Sequence, residues 1–211
     1  MTTPRRQRPR SPLQHPWFAR AYSLASRWLD ERGGSDNRRR LLAPLSGQVI
    51  EVGAGNGRNF AHYPTAVTSV LAVEPETRLR GQALRAAPLA PVPVGVVSAR
   101  AEQLPVADDR FDGAVLSLVL CSIADPVHAL AELRRVVRPG GVVRFYEHVR
   151  SPRASIGLVQ DAVTPVWSFF AGGCHLNRDS ATTIDTAPGF EVTELDRFSF
   201  AGVTHVLGTA R

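Results

Sequence analysis

The chain has 211 residues, of which 44% are hydrophobic, and this is enough for one domain with an apolar core. No stretch approaches the ~20 continuous apolar residues of a membrane span. The basic first residues are not followed by the apolar run of a secretory signal. The two cysteines, Cys121 and Cys174, are too few for a disulfide framework and lack the spacing of metal ligands. We therefore expect a cytoplasmic protein with no transmembrane segment and no metal site.

The positive charge is concentrated at the start of the chain. The formal net charge is +6, and it falls to +2 without the four arginines Arg5, Arg6, Arg8 and Arg10, because no acid lies near them. A nucleic-acid partner is therefore disfavoured, while weak contact with an anionic membrane surface stays an alternative. Prolines between these arginines predict that residues 1–16 form a disordered basic tail.

The first predicted element is an amphipathic helix. From Trp17 to Glu31, apolar residues recur at three- and four-residue spacing, and Gly33 ends the pattern. We expect residues 17–44 to form a helical lid or cap and residues 45–211 to form the main domain.

Strand and helix patterns alternate through the main domain. Such alternation is typical of an α/β fold, with a mainly parallel sheet and helices on both faces. The part beyond Phe190 has β-like runs with a final strand near 204–208. The predicted strands are 48–52, 69–73, 92–97, 113–120 and 142–146, and predicted helices begin at 58, 76 and 126.

A glycine-rich loop follows the first of these strands and reads EVGAGNGR from Glu51 to Arg58. Glycines let the backbone turn sharply and approach a ligand closely, and the start of a following helix offers unpaired N–H groups. The spacing is G-x-G-x-G, and Arg58 stands at the last glycine of the dinucleotide-binding pattern. A carboxylate at Glu51 would repel a pyrophosphate but suits a ligand with an ammonium group, such as S-adenosylmethionine (SAM).

Glu74 ends the next predicted strand, about twenty residues after Gly53, which is the spacing at which an acid meets ribose hydroxyls in Rossmann-type sites. An acid in a solvated loop is the alternative interpretation. The glycine loop favours the ribose-binding role.

Four stretches now occur in the order typical of one family. Residues 51–57, 101–105, 111–112 and 138–141 resemble the successive motifs of class I SAM-dependent methyltransferases, above all those of the ubiquinone/menaquinone-biosynthesis type. The resemblance covers about residues 45–150. It implies a Rossmann-like sheet of seven strands, mainly parallel with one antiparallel strand, and SAM as the cofactor.

The same resemblance implies which residues bind the cofactor. Glu51 and the glycine loop would hold the methionine part, Glu74 the ribose and residues 101–102 the adenine, with the backbone of residues 118–119 at the methionine end. Many relatives carry an aspartate where this chain has Arg100, so adenine recognition would rest on Glu102 and backbone groups. The predicted cofactor-binding set is Glu51, Gly53, Ala54, Gly55, Asn56, Gly57, Asn59, Glu74, Pro75, Ala101, Glu102, Leu118 and Val119.

Three later stretches narrow the resemblance. Residues 118–122, 146–149 and 173–180 look like a subfamily that includes the animal membrane-associated alkyl thiol methyltransferases. The printed sequence lacks their apolar N-terminal anchor, so we do not expect membrane residence. A small-molecule acceptor follows, with a lipophilic thiol as the leading candidate. A phenol, quinol or amino lipid is nearly as well supported, because the analogy is a weak basis for substrate choice.

Two histidines are candidates for a catalytic role. His148 closes a predicted strand and His175 lies in a polar cluster after an apolar segment, so either could accept a proton or orient the acceptor. Hydrogen-bonded structural histidines are the alternative. The predicted acceptor pocket consists of Trp167, Phe170, Cys174 and His175, although the aromatic residues could equally belong to the core.

Two other classes of function stay possible at this point. A SAM-binding module without turnover would keep the glycine loop and Glu74. An RNA-modifying enzyme would fit the arginine tail, but residues 118–122 hold no Asn-Pro-Pro-Tyr-type tetrad for base methylation.

Overall fold

A computed structural model describes Gln14 and residues 16–211 of the chain. The predicted disordered tail, residues 1–16, therefore lies almost wholly outside the described residues. Gln14 and Pro16 belong both to the predicted tail and to the described residues. The side-chain amide of Gln14 donates to the carbonyl of Pro75, and its side-chain oxygen accepts from the N–H of Thr77. Pro16 already begins the first helix, where its fixed φ angle is favourable. For the rest of residues 1–16, the disordered tail stays a prediction.

Seven strands form one sheet in the order β3-β2-β1-β4-β5-β7-β6. The first five strands run parallel, β7 is antiparallel to β5, and β6 pairs antiparallel with β7. The predicted α/β fold with a mainly parallel seven-stranded sheet is confirmed. The strands are β1 (Gly47–Val52), β2 (Val67–Val73), β3 (Val94–Val97), β4 (Phe111–Ser117), β5 (Val137–His148), β6 (Val192–Phe200) and β7 (Val203–Ala210).

The antiparallel strand enters the sheet through a tight hairpin. Phe200 pairs with Val203, and the two residues between them, Ala201 and Gly202, have φ angles of 50° and 79°. Two successive positive φ values match the turn that suits the twist of a two-residue hairpin. β7 therefore runs antiparallel to β6, and it lies between β5 and β6 in the sheet.

Helices cover both faces of the sheet. Neighbouring residues of β1 face opposite sides: Val49 packs in one core cluster with Leu41, and Ile50 packs in another with Leu130 and Ile184. The helices are α1 (Pro16–Leu29), α2 (Ser35–Leu42), α3 (Thr77–Ala86), α4 (Pro126–Val136), α5 (Ala154–Phe170) and α6 (Ser180–Asp185). Within the part of the chain that the structure describes, none of them is both long and apolar enough to cross a bilayer.

The short helix start predicted at residues 58–62 is present only in part. Only one 3₁₀ turn, Phe60–His62, follows the glycine loop. Tyr63 is extended, with φ −64° and ψ 131°, as expected for a residue that precedes a proline, here Pro64. The proline therefore stops the helix after a single turn.

Two predicted strand boundaries differ from the structure by more than two residues. β4 ends at Ser117 instead of continuing to residue 120, because Leu118 adopts a φ of 55°. β5 begins at Val137, ahead of the Pro-Gly-Gly sequence that was expected to precede it, and its pairing with β4 is irregular between Phe111 and Gly113.

A chain of buried polar contacts fixes the N-terminal helices to the glycine loop. Arg38 of α2 donates to Asp30 at 3.0 Å and to the side-chain oxygen of Asn59 at 2.8 Å. Asn59 then donates to Glu51 at 2.8 Å, and the hydroxyl of Tyr63 donates to the other Glu51 oxygen at 2.7 Å. All five side chains are buried. The predicted cap is thus part of the same folded unit as the sheet.

Burial controls the ionisation of Glu51. Loss of water raises the pKa of its carboxyl group to about 7, although the hydrogen bonds from Tyr63 and Asn59 and the charge of Arg38 act in the opposite direction. The protonated form of Glu51 favours the folded state. This contribution to stability is complete below the ordinary pKa of a glutamate and is lost as the pH rises through about 7. Glu51 therefore makes the folded state less stable between pH 5 and pH 8.

We predict that Glu51→Gln removes this dependence, because an amide cannot ionise. From pH 5 to pH 8, the free energy of unfolding of the variant should gain about 2 kcal/mol relative to the wild type. Urea denaturation of the cofactor-free protein at both pH values measures this difference. The exposed Glu31→Gln serves as control. Parallel pH profiles for the wild type and Glu51→Gln would contradict the prediction.

We predict that Gly208→Ala destabilises the sheet. A Cβ atom at Gly208 in β7 would lie 2.4 Å from the Phe145 ring and 2.6 Å from the carbonyl oxygen of Glu194, and overpacking of this kind typically costs ~1–3 kcal/mol. The matched control is Gly95→Ala in β3, where the nearest atom is 3.9 Å away. Thermal unfolding of both variants gives the comparison, and equal losses of stability would refute the packing argument.

Candidate functional site

A cavity of about 950 Å³, open to solvent, lies at the carboxyl ends of β1, β2 and β4. Ligands of open α/β sheets bind at this edge. Its lining residues include Phe18, Tyr22, Gly53, Gly55, Glu74, Pro75, Glu76, Leu79, Ala101, Glu102, Ser117, Leu118, Val119, Ser122, Ile123 and Gly172.

The glycine loop forms one wall of the cavity. Gly53, Gly55 and Gly57 have φ angles of 71°, 57° and 77°, a region that strongly favours glycine. A Cβ atom at Gly53 would lie 2.1 Å from the side chain of Val119, so this position also requires glycine for space. Because no α-helix follows the loop, the expected helix N-terminus does not contribute to ligand binding.

Glu74 lies at the end of β2 and lines the cavity. One carboxylate oxygen accepts from the N–H of Gly55 and the other from the N–H of Glu76, both at 2.8 Å. Burial raises the pKa of Glu74, and these two backbone donors act against the rise. Each carboxylate oxygen has a further lone pair, so the side chain can also accept hydrogen bonds from a diol.

The opposite wall depends on a buried carboxylate in β5. The side chain of Glu147 accepts from the N–H of Val119 at 2.8 Å and of Leu120 at 2.9 Å, and that of Cys121 lies 3.5 Å away. The N–H of Leu118 instead donates to the carbonyl of residue 146. Burial raises the pKa of Glu147, while the backbone donors and the charge of His148 favour its ionised form.

The structure brings some of the predicted cofactor residues to the cavity and leaves others behind the loop. Asn56 donates to Ser26 of α1, and Asn59 and Glu51 belong to the buried network described above. Their side chains are thus occupied by contacts that support the loop. Lining the cavity are Gly53, Gly55, Glu74, Pro75, Ala101, Glu102, Leu118 and Val119; Glu51, Ala54, Asn56, Gly57 and Asn59 are not among the lining residues.

The sequence predicted a lid or cap from this part of the chain, but it did not show which residues of α1 line the cavity. Phe18 and Tyr22 lie one helical turn apart, have ring centroids separated by 5.5 Å, and both line the cavity. Phe18 is also close to Gly172, where a Cβ atom would lie 2.7 Å from its ring. The apolar periodicity of α1 indicated a buried face, but it did not indicate which side chains of that face contact the cavity.

A second group of reactive side chains adjoins the cavity. The side-chain ligand atoms of Cys121, His148 and Cys174 all lie within 4.8 Å of one another, and Nε2 of His148 is 2.9 Å from Sγ of Cys174. We call these three residues the thiol–imidazole cluster. Ser122 and Gly172, which line the cavity, are one and two residues away from its cysteines.

Electrostatics within the thiol–imidazole cluster favour a negative charge on Cys174. Its contact with Cys121, and then its hydrogen bond with His148, lower the pKa of Cys174 against the effect of burial. The same contact, together with burial, raises the pKa of Cys121. Burial acts to lower the pKa of His148, but the partnership with Cys174 and the charge of Glu147 outweigh it and raise this pKa.

The remaining predicted residues are more exposed. The side chain of His175 is exposed, and its backbone N–H donates to the carbonyl of Cys121. Trp167 donates from its indole N–H to Sγ of Cys174 at 3.4 Å, but the residue is 47% exposed. Phe170 is 71% exposed. The aromatic residues of α5 therefore do not belong to the core. None of the predicted pocket residues Trp167, Phe170, Cys174 and His175 is among the residues that line the cavity, and neither is His148.

The residues around the cavity fit SAM. Glu74 offers acceptors for a ribose diol, and Val73, Leu79 and Ile123 form an apolar surface for a base. Ser117 lines the cavity, and its buried hydroxyl has no hydrogen-bond partner among the described residues. An orphaned buried hydroxyl is costly unless a ligand satisfies it.

Comparison with known proteins agrees with this geometry. A family model described as a methyltransferase domain matches residues 50–145. The chain is 32% identical over 148 residues to the thiol S-methyltransferase TMT1B of Rattus norvegicus, which covers 68% of this chain and 60% of the rat protein. It is also 32% identical over 117 residues to a demethylmenaquinone methyltransferase of Renibacterium salmoninarum, covering 52% of this chain and 48% of that protein. The chain thus spans only part of the curated relatives that it matches.

Solved structures share the fold at lower sequence identity. A SAM-dependent methyltransferase of Thermotoga maritima, described as a possible histamine N-methyltransferase, aligns with a TM-score of 0.68 at 21% identity. The alignment covers 92% of this chain and 99% of that structure. Residues 50–145 therefore match a methyltransferase domain, and the chain has the fold of the class I SAM-dependent methyltransferases, whose cofactor is SAM.

Proposed function

We propose that this protein transfers a methyl group from SAM to a small lipophilic acceptor, and that the acceptor is a thiol. The observation that best supports this proposal is the cavity, which combines the glycine loop, Glu74 and a Ser117 hydroxyl without a hydrogen-bond partner among the described residues. The thiol preference is supported by the relatives named thiol S-methyltransferases.

The chemistry that SAM supplies is a methyl group already activated by its sulfonium. The protein needs to hold the two reactants in line and exclude water, and orientation of this kind can contribute ~7–11 kcal/mol. In our proposal, Glu74 accepts from the ribose hydroxyls, and the backbone of Gly53 and Gly55 lies along the methionine part. The proposed contact of Glu51 with the methionine part is indirect, through the loop that it supports.

Of the two candidate catalytic histidines, His148 is the better supported. It is half-buried in the thiol–imidazole cluster next to the cavity, where its Nε2 lies 2.9 Å from Sγ of Cys174. The side chain of His175 is exposed, and none of its contacts supports a role in proton transfer or in orienting the acceptor. A thiol with an ordinary pKa of ~8.5 needs little help to ionise, so His148 would mainly orient the acceptor.

A second candidate is methyl transfer to a quinol. It is favoured by the relatives named demethylmenaquinone methyltransferases, which are 32% identical over shorter alignments. Two further alternatives are a phenol or amino lipid acceptor and a SAM-binding module without catalysis. Both are compatible with the same cavity, so the acceptor assay described below has to distinguish them.

Location and partners stay predictions: a cytoplasmic protein, without nucleic acid, that contacts an anionic membrane surface weakly. The apolar side of α5 supports the last point, since Val166, Phe169 and Phe170 are 65%, 79% and 71% exposed. Exposed apolar groups of this kind suit uptake of a lipophilic acceptor.

We predict that the purified protein methylates thiols and that Glu74→Ala abolishes this. Labelled SAM is incubated with panels of thiols, quinols, phenols and amines, and SAM affinity is measured by calorimetry. Loss of charge-assisted hydrogen bonds to ribose should weaken SAM binding about tenfold or more, while the exposed Glu31→Ala leaves it unchanged. Transfer to quinols alone would replace the thiol proposal. Tight SAM binding without transfer to any panel would leave a non-catalytic module.

We predict that α1 closes the cavity during the reaction. Phe18→Ala removes a wall beside Gly172 and admits water, so kcat/KM for the acceptor should fall about tenfold. The neighbouring Trp17→Ala is the matched control, because Trp17 is 80% exposed. Steady-state kinetics with the best acceptor make the test. Equal kinetics for the two variants would show that α1 is not part of the reaction chamber.

A further inference from the structure

The thiol–imidazole cluster is assembled from three distant parts of the chain. Cys121 follows β4, His148 is the last residue of β5, and Cys174 lies in the loop after α5. Cys121 and Cys174 are 1% and 9% exposed, and His148 is also largely shielded. Two sulfurs and one imidazole nitrogen thus converge, within 4.8 Å of one another, in the interior beside the cavity.

We propose that this cluster binds a zinc-like divalent cation through Sγ of Cys121, Nε2 of His148 and Sγ of Cys174. Thiolate and imidazole are the donors that Zn²⁺ takes, and three protein ligands with one free position are typical of catalytic zinc sites. The inference rests on the proposed function in one respect: the fourth position receives the sulfur of the acceptor thiol.

Each ligand is fixed before a cation arrives. The backbone N–H groups that precede Cys121 are tied to Glu147. His148 is held by the pairing of β5 with β7, opposite His205. The N–H of Cys174 donates to the carbonyl of Ala171. Little chain entropy remains to be lost on binding, which favours affinity.

The histidine offers the correct nitrogen. Nε2 faces Cys174 at 2.9 Å, whereas Nδ1 is buried and has no hydrogen-bond partner among the described residues. A cation on Nε2 leaves the proton on Nδ1 and so fixes a single tautomer. The indole N–H of Trp167, 3.4 Å from Sγ of Cys174, supplies a hydrogen bond to a ligand atom from outside the cluster.

The position of the cluster connects the cation to methyl transfer. None of the three ligand residues lines the cavity. Phe18 does, and it also packs against the apolar cluster that contains Cys121 and Cys174, so an acceptor would reach the fourth position past this ring. An acceptor bound at the fourth position loses its thiol proton to solvent. The sulfur lone pair then forms the bond to the methyl carbon, and the electrons of the broken sulfonium bond stay on the departing sulfur. The products are the methyl thioether, S-adenosylhomocysteine and one proton. A thioether is a weaker ligand than a thiolate, so the product leaves.

The test begins with metal content. The full chain, purified under reducing conditions without chelators, is analysed for metals and then reconstituted with Co²⁺, whose thiolate charge-transfer absorption reports sulfur ligation. We expect about one cation per chain. Cys121→Ser, Cys174→Ser and His148→Ala should each weaken Co²⁺ binding by about tenfold or more. His175→Ala, adjacent to Cys174 but outside the cluster, should retain the cation. Addition of a simple alkyl thiol should alter the charge-transfer band of the wild type.

The outcomes separate this inference from the proposed function. Glu74→Ala should lose SAM binding and keep Co²⁺, so failure of the methylation assay with intact Co²⁺ binding would reject only the methyltransferase proposal. Absence of charge-transfer absorption in the wild type would overturn the metal site. A Cys121–Cys174 disulfide, found by mass spectrometry of the reduced-purified protein in place of a cation, would do the same. A band that does not respond to thiol would refute acceptor binding at the fourth position.

Discussion

The buried carboxylate of Glu147 determines how the chain leaves the sheet at the site. It stands in β5 between strands β4 and β7, and it accepts from successive backbone N–H groups that follow β4. A segment turned by a positive φ at Leu118 would otherwise bury these donors without partners, at a cost of ~1–3 kcal/mol each. One carboxylate thus holds the backbone of one wall of the cavity and sets the place of Cys121. Tyr146 and His148, on either side of Glu147, join the core stacking and the thiol–imidazole cluster.

The cavity is closed by a second set of interactions from the other end of the chain. Asp30 and Arg38 connect the N-terminal helices to Asn59 and Glu51 behind the glycine loop. The motif residues of this loop therefore divide into two groups. Gly53 and Gly55 provide space and backbone for the ligand, while the polar side chains between and after them secure the loop to α1 and α2.

Much of the fold could be predicted because local patterns and tertiary structure agree. β1, β2 and the apolar face of α4 read directly from runs and periodicity, and the order of the motifs identified the sheet. The helix at residue 58 could not be excluded in this way, since the effect of Pro64 on the preceding turn competes with good helix-forming residues nearby. The end of β4 could not be predicted from the sequence either, because the apolar Leu118 and Val119 continue the pattern of a buried strand. The chain turns at these residues because Glu147, from another strand, accepts hydrogen bonds from the backbone that follows. Spacing along the sequence gave no indication of the thiol–imidazole cluster, since long-range strand pairing brings its members together. Similarly, the functional face of α1 depends on where the helix docks.

The docking of α1 over the cavity has a kinetic consequence. The sheet edge and α1 are held by different interactions: the sheet by seven paired strands, and α1 by Phe18, Tyr22, a contact of Ser23 with Gln82, and the buried polar network. Local opening of such a terminal helix requires less free energy than global unfolding. If α1 closes the cavity as we propose, ligand exchange depends on the opening of this helix, and the sheet can stay intact throughout. Residence times of reactant and product would then respond to temperature and solvent through this one helix. Sequence changes on α1 would adjust turnover while the cofactor contacts of the sheet edge are unaltered.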